Sequence, residues 1–205
     1  MLTCQSRENL SEAPGDPAAD LAARAKGGDR AAFEQLADFY WEEVFRMLYF
    51  RVANAADAED LCQEVFLKAY TRLASLRKPE SVRAWLYGIA LNQARDFQRK
   101  QRLRAYFRTA SLEDERASAA QAASGPSALE AAASKDFWRQ VADFCQSLPR
   151  SQREVFTLRY LDGLTIPEIA HARRSSESSV KTHLYRAVQR FKRSPGLLRE
   201  LREAL

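Results

Sequence analysis

The chain has 205 residues, a formal net charge of +5, and only seven glycines and seven prolines. Alanine, leucine, glutamate, arginine and glutamine dominate, which favours an all-α protein with hydrophobic cores. The three cysteines, Cys4, Cys62 and Cys145, form no CxxC pair, so neither a disulfide framework nor a cysteine metal site is expected, and a reducing, cytoplasmic setting fits. The N-terminal segment carries acids and prolines without an apolar run, which argues against a signal peptide, and no apolar stretch reaches membrane-spanning length.

The first domain is expected over residues 20–104, after a disordered tail at residues 1–19. A short helix from Asp20 to Lys26 ends at two glycines, and Asp29 then caps a long helix that runs to about Ala53. The apolar residues of the long helix recur at helical spacing and predict a buried face: Phe33, Leu36, Ala37, Tyr40, Val44, Met47 and Leu48.

The next predicted helix, from Asp57 to Leu73, is acidic at its start. Four acids fall within eight residues that contain no basic residue: Asp57, Glu59, Asp60 and Glu64. Acids at a helix N-terminus suit the helix dipole, so a solvated first turn explains them. For isolated surface charges that interpretation is usually right, and the alternative is a docking face for a basic partner surface.

A loop and then a long basic helix complete this domain. Pro79 disfavours helical geometry at Lys78, and the helix is expected from Val82 to about Arg104. Between Arg83 and Arg108 there are seven Lys/Arg and one acid, with an asparagine among them, which suits phosphate contact combined with reading of base edges. Trp85, Tyr87 and Phe97 are candidates for stacking on unpaired bases, although Trp85 and Phe97 fit core positions better.

Residues 105–135 are expected to be a flexible linker, since fifteen of the 25 residues at 110–134 are alanine or serine. A second helical domain should follow over residues 136–194. Its first helix carries the apolar series Phe137, Val141, Phe144, Cys145 and Leu148. Ser151 and Glu154 have capping-box spacing, and Gly163 is expected to end the helix that begins there. Residues 195–205 should form a tail or a short helix.

The second domain ends in a predicted helix-turn-helix. Thr165 and Glu168 form a capping box, and Ser175 to Glu177 supply the break before a second helix. Val180, Leu184, Ala187, Val188 and Phe191 fall on one face of that second helix. From His171 to Arg193 there are seven Lys/Arg and one acid, as in a helix that enters a major groove. An ordinary helical hairpin with a solvated basic face is an equally good interpretation of the periodicity alone.

An enzyme is not expected. The chain has two histidines, His171 and His183, both within the helix-turn-helix, and no nucleophile constellation or metal-ligand spacing accompanies them. The residues therefore predict no catalytic group, no metal and no cofactor.

Two separated stretches resemble sigma-70-type transcription initiation factors. DAEDLCQEVFLKAYTRL followed by SVRAWLYGIALNQARDFQRKQR resembles their region 2, and SLPRSQREVFTLRYLDGLTIPEIA with SSVKTHLYRAVQRFK resembles their region 4. Two motif sets in this order with a short linker are similar to the extracytoplasmic-function group. The resemblance implies a promoter-specificity subunit that binds core RNA polymerase and promoter DNA and is held inactive by an anti-sigma factor.

The resemblance also implies roles for individual residues. In such factors the acidic helix docks on the clamp helices of the polymerase β′ subunit, and here it offers Asp57, Asp60, Gln63 and Glu64. Asn92 occupies the position that reads a flipped base of the −10 element. The implied −10 contacts are Arg77, Lys78, Ser81, Asn92, Arg95, Asp96, Arg99 and Lys100. The implied contacts with the −35 element are Arg173, Arg174, Ser178, Ser179, Lys181, Thr182, His183, Tyr185 and Arg186.

The chain departs from the family pattern at two places. Leu76 and Val82 stand where members often have aromatic residues at the ends of the base-binding loop. Arg173 and Arg174 replace the apolar residue and the glycine that usually form the helix-turn-helix turn. Either Arg174 adopts a left-handed backbone at some cost, or the turn differs, or Arg174 contacts phosphate.

A second function, a stand-alone helix-turn-helix regulator that binds an operator, competes with the sigma-factor interpretation. It uses the second domain but leaves the acidic helix and the basic helix of the first domain unexplained.

Overall fold

The computed structural model describes residues 16–110 and 139–193, and all regular structure within these ranges is helical. The expectations for residues 1–15, 111–138 and 194–205, which include most of the linker, lie outside the described residues. The chain divides into two compact units, and each unit is described by itself. The all-α fold class and the two helical domains expected from the sequence are confirmed.

Within its described residues the first unit has four α-helices: α1 (Pro17–Lys26), α2 (Arg30–Val52), α3 (Ala55–Arg72) and α4 (Val82–Ala110). Short 3-10 turns at Leu73–Ser75 and Pro79–Ser81 connect α3 to α4. The side chains of Asp16, Asp29 and Asn54 cap the first three helices by accepting a backbone N–H.

Three boundary predictions in this unit were wrong. Helix α1 begins at Pro17, three residues before the predicted Asp20, because Asp16 caps it and proline suits the first turn of a helix. Residues 17–19 therefore do not belong to a disordered tail. Helix α4 continues to Ala110, six residues beyond the predicted Arg104, so residues 105–110 are helical rather than linker. Helix α3 starts at Ala55, two residues before the predicted Asp57.

The core of the first unit lies between α2, α3 and α4. Helix α3 runs back along α2, with the Phe33 and Tyr70 rings 5.0 Å apart edge to face and the Cys62 thiol 3.8 Å from the Trp41 carbonyl oxygen. The fully buried side chains include Leu36, Val44, Met47, Leu48, Val65, Leu86 and Leu91. Burying this much apolar surface is the main force that holds three helices of modest propensity together.

Glu43 of α2 joins α2 to α4. Its carboxylate accepts hydrogen bonds from the Arg83 guanidinium and, at 3.1 Å, from the Tyr87 hydroxyl. Tyr87 is 1% exposed. The prediction that Tyr87 is a stacking candidate was wrong, because its ring lies in the core and its hydroxyl is satisfied there. Trp85 and Phe97 are partly buried.

The second unit contains helix α5 (residues 139–147), α6 (Arg150–Tyr160), α7 (Ile166–Arg173) and α8 (Glu177–Lys192). Phe144, Phe156 and Phe191 form an aromatic cluster with ring centroids 5.2–5.9 Å apart. Val155, Leu158, Ile169, Val180 and Ala187 are fully buried. The predicted apolar face of the last helix therefore packs on α6 and α7, as the periodicity indicated.

The predicted capping box at Ser151 and Glu154 does not form. Helix α6 begins at Arg150 after Pro149, so Ser151 already lies inside the first turn, and no side chain caps the helix. The Glu154 carboxylate instead forms ion pairs with Arg150 and Arg173, each at 3.4 Å. Gly163 has a φ of +68° and lies three residues after the last helical residue, Tyr160, so it shapes the turn that follows α6.

Candidate nucleic-acid and partner interfaces

The outward face of α3 is acidic and partly apolar. Asp60 and Gln63 are exposed, and Asp57 is half-buried. The same face carries Leu67 and Tyr70, which are 66% and 49% exposed and were not among the predicted docking residues. Leu67 lies one and two helical turns from the acids, so the spacing of the exposed positions was the signal that would have found it. A charged surface around an exposed leucine and tyrosine is typical of a protein interface.

The fourth predicted docking residue, Glu64, also has a partner inside the domain. Its carboxylate accepts a hydrogen bond from the side-chain amide of Gln93 on α4, and the amide oxygen of Gln93 accepts from Lys68. The Gln93 side chain is buried, with 6% of its surface exposed. Both ends of its amide are thus satisfied by α3, which fixes α4 against α3 next to Asn92.

The outer face of α4 carries the predicted −10 residues in one row. Asn92, Asp96, Arg99 and Lys100 are exposed, and Arg95 is half-buried. Asp96 and Arg99 form an ion pair at 3.3 Å. The Asn92 amide thus stands on an exposed cationic helix face, with a donor and an acceptor available for a base edge.

The loop before α4 is fixed at both ends by buried side chains. Leu76 and Val82 are each 1% exposed, whereas Arg77 and Lys78 between them are exposed. The Ser81 hydroxyl donates to the Lys78 carbonyl at 2.8 Å, which closes the turn. The two residues that replace the family's aromatics therefore anchor the loop in the core, and the polar side chains between them form its surface.

The turn between α7 and α8 has a left-handed residue. Thr165 and Glu168 form the predicted capping box at the start of α7. Arg174 has φ 53° and ψ 48°, and its N–H points to the last carbonyls of α7. Ser175 N–H donates to the Ala170 carbonyl at 2.9 Å, which closes the helix end. The left-handed backbone, one of the alternatives left open above, is the one this turn adopts.

Helix α8 presents a polar, basic outer face. The Ser176 side chain caps it, and Thr182 donates to the Ser178 carbonyl at 2.9 Å. Tyr185 is 66% exposed, and Lys181 forms an ion pair with Glu177 at 3.5 Å. The exposed side chains of this face are those predicted to contact the −35 element: Ser178, Lys181, Thr182, Tyr185 and Arg186.

Two family descriptions match the chain, one in each unit. Sigma-70 region 2 matches residues 36–104, and Sigma-70 region 4 matches residues 139–191. The ECF RNA polymerase sigma-E factor of Escherichia coli is 32% identical over 174 residues, which are 82% of this chain and 88% of that protein. The chain belongs to the extracytoplasmic-function (ECF) group of the sigma-70 family of RNA polymerase sigma factors.

Two further relatives bear on this sigma factor. The ECF RNA polymerase sigma factor BldN of Streptomyces coelicolor is 34% identical over 175 residues, and the match covers 85% of this chain but 64% of BldN. The solved structure of CnrH in complex with the cytosolic domain of CnrY has a TM-score of 0.62 at 25% identity, covering 85% of this chain and 94% of CnrH.

Three of the predicted −35 residues of this sigma factor are partly buried: Arg173, Ser179 and His183. The Arg173 side chain is 10% exposed and pairs with Glu154. His183 is half-buried beside it, and burial, with the charges of Arg173 and Arg186, lowers the pKa of the His183 imidazole. The structure thus gives the two adjacent arginines opposite placements, with Arg173 turned inward and Arg174 exposed.

Among the residues that the structure describes, no cluster of histidine, cysteine, aspartate and glutamate has the arrangement of a metal site. Cys62 and Cys145 are buried thiols. Burial, and then the nearby charge of Glu59, raises the pKa of Cys62 to about 12. No helix within residues 16–110 and 139–193 is long and apolar enough to cross a membrane.

Proposed function

We propose that this sigma factor directs core RNA polymerase to promoters through three surfaces with separate tasks. The outward face of α3 binds polymerase, the outer face of α4 and the loop before it capture the −10 element, and α8 reads the −35 element. The observation that carries the proposal is that one small helical unit presents both an acidic face on α3 and a basic, asparagine-bearing face on α4. A protein that bound DNA alone would need only the basic faces.

For the −35 element, the proposed contact is an α8 lying in the major groove. Lys181 and Arg186 are exposed cations that suit phosphate oxygens or the acceptor edge of guanine. Thr182 and Tyr185 bring smaller and aromatic contacts to the same face. Arg174 is an exposed cation at the turn and is placed to contact the adjacent phosphate. Because Arg173 and His183 are turned into the domain, we assign them to supporting α8 rather than to touching DNA.

For the −10 element, the proposed contact is capture of an unstacked base. Removing a base from the stack costs a few kcal/mol, so the site that receives it must offer hydrogen bonds and charge in return. Asn92 supplies the amide, and Arg99, Lys100, Arg77 and Lys78 supply cations for the backbone of the melted strand. No step of the proposal assigns bond-making chemistry to this chain, since the polymerase performs the synthesis.

For the polymerase, the proposed contact is the face of α3 with Asp57, Asp60, Gln63 and Glu64 on the clamp helices of β′. The exposed Leu67 and Tyr70 extend this face and supply the apolar area that charges alone lack. Rim charges chiefly speed association, whereas a buried aromatic or leucine anchor slows dissociation. Charge reversal at Asp60 should therefore weaken binding in a salt-dependent manner.

We also propose control by an anti-sigma factor in the cytoplasm. The related CnrH was solved in complex with the cytosolic domain of a second protein, CnrY. Exposed apolar side chains on a small domain are a normal feature of surfaces that a partner protein covers. The stand-alone regulator is the weaker alternative, because it assigns no task to α3 or to Asn92.

Run-off transcription on genomic DNA tests the proposal. We expect purified core polymerase to begin at discrete promoters only when this chain is added, and we expect Asp60→Lys to abolish that gain. Arg30→Lys changes an exposed residue of α2 and serves as the control, because it leaves the α3 face intact. Active core polymerase that gains no promoter-specific start from the wild-type chain would contradict the proposal, and sequence-specific binding of DNA without polymerase would then favour the regulator.

A further inference from the structure

We propose that Lys26, at the end of helix α1, is a positioning residue for the loop that receives the −10 base. The inference rests on the proposed function. Helix α1 lies outside the part of the chain that matches Sigma-70 region 2, which begins at residue 36. The Lys26 ammonium donates a hydrogen bond to the Leu76 carbonyl oxygen at 2.7 Å, fifty residues along the chain.

The carbonyl of Leu76 is the last backbone group before the exposed part of the loop. The Leu76 side chain is buried, and its N–H donates to Leu73 at 3.0 Å. The Leu73 bond thus holds the peptide group before Leu76, and the Lys26 ammonium holds the next one, which joins Leu76 to Arg77. A charged donor makes a stronger hydrogen bond than a neutral one, so it holds the peptide orientation more firmly.

The rest of helix α1 holds Lys26 in that place. Ala18, Ala22 and Ala25 are buried and recur at helical spacing, which lets α1 approach its neighbours closely. The helix packs against α2, against the turn Leu73–Ser75 before the loop and against the turn Pro79–Ser81 within it. Arg24 closes the following turn by donating to the Asp29 carboxylate at 2.7 Å.

Between its buried ends the loop exposes most of its side chains, and helix α1 packs on its second half, the turn at Pro79–Ser81. Arg77, Lys78 and Glu80 are exposed, and the described hydrogen bonds within this stretch join Ser81 to Lys78. Holding the first peptide of a five-residue loop therefore sets where Arg77 and Lys78 point relative to Asn92. We infer that loss of the Lys26 bond broadens the loop's geometry and lowers its discrimination among bases, without removing any group that touches DNA.

The test compares binding of single-stranded −10 oligonucleotides by the holoenzyme, with each of the four bases at the captured position. Lys26→Met is expected to reduce the preference for the best base by about three- to tenfold, which is less than the full value of one hydrogen bond from a charged donor because the bond acts on base choice only through the loop. Arg30→Met is the matched control: it removes the same charge from an exposed residue of the same domain and should leave the preference unchanged. Lys26→Arg retains a donor and should restore most of the preference.

Three readouts separate positioning from a general structural effect. Core-polymerase affinity, −35 duplex affinity and thermal unfolding should be the same for Lys26→Met and Arg30→Met. Equal base preference in wild type and Lys26→Met, or equal losses in Lys26→Met and Arg30→Met, would overturn the inference alone. A wild-type holoenzyme that does not distinguish the four bases would contradict the proposed capture by α4 and, with it, this inference.

Discussion

The left-handed turn at Arg174 gives the most quantitative prediction. An L-residue in the left-handed helical region costs about 1–2 kcal/mol relative to a relaxed backbone. Glycine avoids that cost but loses about 0.5–1 kcal/mol more conformational entropy on folding. Since Arg174 has φ 53° and ψ 48°, we expect Arg174→Gly to stabilise the second unit by about 0.5–1 kcal/mol.

The same substitution should weaken DNA binding. Arg174 is exposed at the turn that precedes α8, where we propose a phosphate contact. Removing one phosphate contact lowers the slope of log affinity against log salt concentration by about one unit. Arg174→Ala provides the control, because it removes the same cation but keeps the β-carbon that causes the backbone cost.

Amide hydrogen exchange in the full-length chain measures the predicted change in the stability of the second unit. Peptides from α6, α7 and α8 should exchange about two- to fivefold more slowly in Arg174→Gly than in Arg174→Ala. Both variants should show the same weakened, less salt-dependent binding to a −35 duplex. Exchange no slower in the glycine variant than in the alanine variant would refute the backbone argument, and unchanged salt dependence in both would refute the phosphate contact.

Three further predictions concern buried groups. Gln93→Leu keeps the volume but removes the bridge from Glu64 to Lys68, and we expect it to weaken −10 strand capture by the holoenzyme more than −35 duplex binding; equal losses in both would contradict this. The pKa of the His183 imidazole is lowered in the folded state from its ordinary value of about 6.5. Near that pH the unfolded chain therefore binds more protons than the folded chain, and the second unit should lose stability as the pH falls. His183→Gln should reduce this pH dependence in hydrogen exchange, and an identical pH profile would refute the assignment. The Cys62 thiol, with its pKa raised to about 12, should react with iodoacetamide at pH 8 only as fast as the first unit opens; labelling at the rate of an exposed thiol would contradict its burial.

Local patterns in the sequence predicted those parts of the fold that depend on neighbouring residues. Asp29 caps α2, and Thr165 with Glu168 forms the capping box of α7, as their spacing indicated. Ser151 and Glu154 have the same spacing but do not form a box. The Glu154 carboxylate is held by two arginines, one of which, Arg173, comes from a different helix, and no local pattern contains that information.

The contacts that shape the proposed sites join distant parts of the chain. Lys26 reaches Leu76 across fifty residues, and Lys68 reaches Gln93 across 25. Gln93 lies on the buried face of α4, and the sequence could not show which groups satisfy its amide. Tyr87 was considered for stacking on bases because its hydrogen-bond partner, Glu43, lies 44 residues away in the sequence and no local pattern reveals it. Which groups form hydrogen bonds with a buried polar side chain across such sequence separations is decided by the packed structure.

Arg173 and Arg174 illustrate the same limit within the −35 site. The sequence shows two adjacent arginines at the turn, and both were expected to contact DNA. Arg173 is the last residue of α7 and pairs with Glu154 inside the unit, whereas Arg174 is the left-handed residue that ends the helix, and its side chain is exposed. The number of cations at this turn was therefore predictable, but their division between support and contact was not.

The division of labour between Asn92 and Arg186 is the central claim, and it is tested by assaying both alanine variants for −35 duplex binding and for promoter opening by the holoenzyme. We expect Arg186→Ala to weaken duplex binding by about 1–3 kcal/mol, roughly five- to 150-fold, while opening on a promoter already held at saturating concentration is retained. We expect Asn92→Ala to bind the −35 duplex as wild type does and to fail in opening. Equal loss of −35 duplex binding in the two variants would contradict the claim.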